Sequence, residues 1–120
     1  MIRDLHNKLI NQEITSEKLT EEYFTRIEEK DPEIKAYISL NKEFALDKAR
    51  AVDKKIKAGE EVGLLGGIPS AIKDNMCIDG LPTTAGSKVL ENYMNQDICA
   101  KEQNLGFGVS NAKVILTIQK

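Results

Sequence analysis

The residues that break regular backbone are concentrated in one part of this chain. Between Ala58 and Lys88 the stretch "AGEEVGLLGGIPSAIKDNMCIDGLPTTAGSK" holds six of the eight glycines and two of the three prolines. Such a stretch cannot continue a helix. It must turn repeatedly and bring backbone close to another surface. Binding and catalytic residues concentrate in segments of this kind. The chain therefore divides near residue 59 into a helical part and a turn-rich part. Within the second part, residues 67 to 73 are expected to run as a strand into the glycine-rich loop.

The first part has helical periodicity. Ile2, Leu5, Leu9 and Ile10 recur at helical spacing, so residues 1 to about 12 read as a short helix. Thr15 or Ser16 can cap the next helix by accepting from a free backbone N–H, and Glu17 suits the positive end of its dipole. Leu19, Tyr23 and Ile27 fall on one face, with Phe24 beside Ile27. Pro32 is expected to stop this helix, because the residue before a proline is pushed from helical angles. Residues 34 to 40, "IKAYISL", alternate enough for a short strand. Residues 41 to 58 form the clearest helix, with Asn41 as cap, Ala45, Ala49, Val52 and Ile56 as an apolar stripe, and Gly59 free to take left-handed angles at its end. Near the end of the chain, Val114 to Ile118 in "AKVILTIQK" is a strand candidate.

Charge and composition exclude several classes. With 17 basic and 19 acidic side chains, the net charge is −2, and a near-balanced count argues against a domain that lives on nucleic-acid phosphates. Lys54, Lys55 and Lys57 read as the solvated end of a helix. Hydrophobic residues at 41% and charged residues at 30% suit a globular domain. Cys77 and Cys99 form no CxxC pair and are expected to be free thiols in a reducing compartment. The first residues lack the apolar run of a secretory signal, and no stretch approaches transmembrane length, so a cytoplasmic protein without membrane contact is expected. "GLLGGIPSAIK" lacks the Gly-Lys-Ser/Thr ending of a phosphate loop. His6 has no second ligand nearby for a zinc site and no partners for a Ser-His-Asp triad. Asp74 and Asp79 read as turn residues.

Lys73 stands apart, at the end of the apolar run in "GGIPSAIKDN". In its plainer reading it ends a strand with its ammonium in water or beside Asp74. In its chemical reading it is a general base. A free lysine, with a pKa of about 10.4, is protonated near neutrality. Burial disfavours the cation, and a neutral amine can take a proton from a serine hydroxyl. Ser70, Thr83, Thr84 and Ser87 are the hydroxyls closest in sequence.

"GIPSAIKDNMCIDGLPTTAGSKVLENY" resembles the first active-site segment of the amidase signature family, and within it the A subunits of aspartyl/glutamyl-tRNA amidotransferases. "LHNKLINQEITSEKLTEEYFTRIEEKDPEIKAYISL" resembles the amino-terminal helices of the same subunits. The resemblance covers residues 1 to about 93 and implies an α/β fold, the amino-terminal portion of the amidase signature fold. Residues 94–120 are left as a divergent tail. It further implies a Ser–Ser–Lys triad in which the lysine of "IKDN", Lys73 here, is the base. The implied reaction releases ammonia from glutamine. Partner B and C subunits, with ATP and magnesium used through the partner, then convert Glu-tRNA(Gln) or Asp-tRNA(Asn) to Gln-tRNA(Gln) or Asn-tRNA(Asn). This chain itself would hold no cofactor and no metal. Nothing like the family's glycine- and serine-rich segment, which carries both serines, occurs in these 120 residues. The chain alone is therefore expected to be inactive, a fragment of such a subunit. The alternatives are a non-catalytic remnant or partner-binding module, or part of another small-amide amidase.

Overall fold

The computed structural model describes residues 1–76 and 82–93, together with the backbone of residues 114–118. Helix α1 (Ile2–Ile10) leads into α2 (Ser16–Ile34). A short strand, β1 (Tyr37–Ser39), precedes α3 (Lys42–Lys57). Strand β2 (Pro69–Lys73) follows, then one turn of 3-10 helix (Lys88–Leu90), and finally β3 (Val114–Ile118). Cys77, Asp79 and Cys99 lie outside the described residues.

The strands form one mixed sheet in the order β1-β3-β2. β3 runs antiparallel to β1, with Tyr37 opposite Ile118 and Ser39 opposite Thr117, and the register shifts between those pairs. It runs parallel to β2, pairing Pro69 with Val114 through to Lys73 with Ile118. The segment at the end of the sequence thus occupies the middle of the sheet.

The stripe expected on α3 is buried in full: Ala45, Ala49, Val52 and Ile56. Its two alanines admit Phe24 and Ile27 of α2, with Tyr37 packed against the group. The larger residues one and two turns later meet Leu9, Val62 and Ile68, with Leu5 and Ile14 at the margin. On α1 only Leu9 is buried, and Ile2 and Ile10 are exposed. On α2 the buried face is Ser16, Leu19, Thr20, Phe24 and Ile27, leaving Tyr23 half-buried at its edge.

Two local expectations are corrected. Pro32 does not stop α2: it lies inside the helix, which continues to Ile34. Its missing N–H falls in the last turn, and the deprived carbonyl belongs to Glu28, an exposed residue on the side where water can take over. The stop comes instead from Lys35, in left-handed conformation, whose N–H reaches the Asp31 carbonyl at 2.6 Å. The Asp31 side chain then accepts from the Ala36 N–H at 2.7 Å. Asn41 does precede α3, but its side chain makes no capping bond. Of the two cap candidates for α2, Thr15 is the one used, accepting from the Lys18 N–H at 3.2 Å. Gly59, with φ of 74°, follows α3 as expected.

Candidate active site

The start of α2 and the entry to β2 are tied together. Asp53, on α3, accepts from the Ser16 N–H at 2.7 Å and from the Glu17 N–H at 3.1 Å. A carboxylate there meets both the free N–H groups and the positive end of the helix dipole. The buried Ser16 hydroxyl donates to the Gly67 carbonyl at 2.7 Å, so the chain entering β2 is fastened to the same helix end. Gly67 has φ of +78°, and a Cβ there would lie 3.1 Å from Ser16 Oγ and 3.2 Å from Val52 Cγ1. The glycine is required both by its angle and by the closeness of its neighbours. This anchorage fixes where β2 begins and hence where Lys73, its last residue, is delivered.

Lys73 itself is exposed. It makes no ion pair with the adjacent Asp74, whose carboxylate points elsewhere. Asp74 is 5% exposed. Both of its oxygens lie 3.2 Å from the Thr84 nitrogen, and the Thr84 hydroxyl donates to Oδ2. The Gly86 N–H adds a longer contact at 3.4 Å. The Asp74 backbone carbonyl accepts from Ala85 at 3.1 Å. Ala85 and Gly86 both have positive φ, 49° and 73°, and this turn presents the Ala85 N–H to the Asp74 carbonyl and the Gly86 N–H to the Asp74 carboxylate. The reading of Asp74 as an ordinary turn residue is thus too weak. It is the point at which the loop 83–87 is held to the end of β2.

The nearby hydroxyls have separate fates. The Ser70 hydroxyl donates to the Ile68 carbonyl at 3.3 Å. Ser87 caps the 3-10 turn by accepting from the Val89 N–H at 3.3 Å. Thr83 is buried, with its N–H bonded to the Tyr93 carbonyl at 3.1 Å and its hydroxyl without a hydrogen-bond partner among the described residues. His6 sits on α1 with a buried Nδ1 that has no hydrogen-bond partner among the described residues. Among the described residues no cluster of His, Cys, Asp and Glu is placed to hold a metal ion, and no helix is long and apolar enough to cross a membrane.

Residues 18–100 match the family model described as Amidase. The glutamyl-tRNA(Gln) amidotransferase A subunit of Trichormus variabilis is 46% identical over 93 residues, covering 78% of this chain and 19% of that protein. The protein of the same name from Rippkaea orientalis is 44% identical over 108 residues, covering 88% of this chain and 22% of its own. The chain thus spans about a fifth of the length of these relatives. Among solved structures, the native peptide amidase of Stenotrophomonas maltophilia superposes with a TM-score of 0.74 at 34% identity, over 80% of this chain and 20% of that one. A bacterial aryl acylamidase shares the fold, with a TM-score of 0.77 at 24% identity, over 95% of this chain and 23% of its own.

Proposed function

The chain belongs to the amidase family, and on that premise we propose that it is the base-bearing portion of a glutamine amidase that serves a tRNA-dependent amidotransferase. The observation that supports the reading is the position of Lys73. It ends β2 within a segment 46% identical to amidotransferase A subunits. The serine pair belongs to polypeptide not contained in these 120 residues. The Lys73 amine takes the proton of a bridging serine hydroxyl. That serine in turn takes the proton of the nucleophilic serine as its oxygen attacks the glutamine amide carbon. The proton held by Lys73 returns through the bridging serine to the amide nitrogen as the carbon–nitrogen bond breaks, so ammonia leaves, and water then hydrolyses the acyl-serine to glutamate and free serine. The ammonia passes to partner B and C subunits, which use ATP and magnesium to amidate Glu-tRNA(Gln) or Asp-tRNA(Asn). The setting is cytoplasmic.

The test uses the 120-residue chain and a restored-length chain. In the latter, residues 1–93 replace the matching segment of the Trichormus variabilis protein, which is then combined with that relative's partners. The 120-residue chain releases no ammonia from glutamine above background. The restored chain does, and Lys73→Ala lowers its rate by about three orders of magnitude or more, by analogy with other triads. Lys73→Arg does not rescue it, because a guanidinium stays protonated and cannot accept the proton. Hydrolysis of peptide amides in preference to glutamine would move the reading toward the peptide amidase.

A further inference from the structure

We infer that Asp74 is a positioning residue for the Lys73 amine, acting through a latch that closes the loop 83–87 onto the end of β2. The inference rests on the reading of Lys73 as base. Its own support is geometric. Asp74 follows Lys73 directly, so whatever fixes its carboxylate and carbonyl fixes the backbone that carries the lysine. The carboxylate is buried, and a buried anion is costly unless its oxygens are satisfied. No described cation pairs with it. Thr84 N–H, the Thr84 hydroxyl and Gly86 N–H satisfy it instead, and Ala85 N–H takes the main-chain carbonyl.

A plain turn does not need this arrangement. The loop already has backbone bonds of its own, from Ser87 N–H to the Thr84 carbonyl at 2.8 Å and from Thr83 N–H to the Tyr93 carbonyl. The carboxylate adds a second attachment, to a strand end ten residues earlier in the chain. The latch also holds Thr83, the neighbour of Thr84, with its hydroxyl buried and without a partner among the described residues. An unsatisfied buried hydroxyl is unfavourable and is tolerated where a site needs it. β2 has β3 on only one side among the described residues, so the latch is what confines its carboxy end on the loop side. The Lys73 side chain is exposed and its amine has no partner among the described residues, so the fixed backbone beneath it, including the Lys73 carbonyl that accepts from the Met76 N–H at 2.9 Å, is what directs the amine.

Two measurements test this. In the 120-residue chain, Asp74→Asn should speed hydrogen exchange at the Thr84 and Gly86 amides, with exchange in α2 and α3 unaltered. Unaltered exchange at those two amides would mean that the latch does not form, and would overturn the inference. In the restored-length chain, Asp74→Asn should lower kcat per titrated active site about 10–100-fold with KM for glutamine unchanged, the signature of misplacement rather than lost binding. Thr84→Val should do the same more weakly, and Thr84→Ser should keep the wild-type rate. A residue needed only for folding would change the amount of active enzyme and leave kcat per site alone; that result, with Lys73→Ala inactive, would sink the positioning role and leave the base intact. Activity that survives Lys73→Ala would remove the base, and with it anything for Asp74 to position.

Discussion

Asp53 shows how much a single side chain can fix in this molecule. One carboxylate on α3 closes the amino end of α2, and the Ser16 it holds then fastens Gly67 ahead of β2. Removing it leaves N–H groups at a helix start without their acceptor. Asp53→Ala is expected to destabilise the chain by about 1–2 kcal/mol, the range for a lost helix cap, read from the midpoint of urea unfolding. Asp53→Asn keeps an acceptor oxygen and should cost less. Gly67→Ala puts a Cβ at a left-handed angle and against Ser16, and should cost about 1–3 kcal/mol. The Glu17–Arg50 pair nearby, at 2.6 Å, is half exposed at its Arg50 end and adds little by comparison. Neither the Asp53 tie nor the Asp74 latch has a local signature. Asp53 reads as one more charge beside Val52, and Asp74 as a turn former. Their partners lie 36 and 37 positions away in the first case and 10 and 12 in the second. Lys73 is legible because an amine at the end of an apolar run is itself unusual, and because the residues around it resemble a known family.

At the scale of elements, β1 brings a titration with it. Burial raises the Tyr37 phenol above its ordinary pKa, and the charge of Asp31 raises it further. The folded chain therefore holds that proton more tightly than the unfolded chain. The stabilisation is complete below the usual tyrosine value of about 10 and is lost as pH climbs through the raised one. Melting temperature should begin to fall as pH climbs past about 10, and Tyr37→Phe should flatten the fall; an unaltered slope would remove Tyr37 as its source. The elements themselves are legible where period alone decides them. The α3 stripe repeats every three or four residues and is buried at each position, and Thr15 supplies a cap that needs no tertiary partner. Pro32 misleads because its penalty depends on how much helix follows. Only Glu33 and Ile34 do, and Asp31 gathers the chain just beyond them. Val114 to Ile118 is readable as a strand from its β-branched run, but nothing within it says which strands it joins.

The whole molecule leaves apolar surface in contact with water. Val89 is 92% exposed, Ile34 65% and Met76 60%. In the longer relatives a chain of this family has several times more polypeptide with which to cover such positions. The 120-residue chain by itself should therefore associate as its concentration rises, seen as a growing sedimentation coefficient, and should melt over a broad range. A sharp, concentration-independent transition of a monomer at high temperature would show that these faces need no cover. The sheet order has a further outcome, in time rather than in space. β3 is the last element in the sequence and the middle strand of the sheet. On the ribosome, α1, α2 and α3 can assemble once α3 has emerged, since the ties between them, such as Asp53 to the Ser16 and Glu17 N–H groups, need nothing synthesised later. β1 and β2 emerge with no neighbour between them, and their ladder waits until Ile118 has been synthesised and a long loop has closed. The nascent chain thus passes through an interval with a finished helical layer and two open strand edges, and it is then that chaperones or proteases have their clearest access to it.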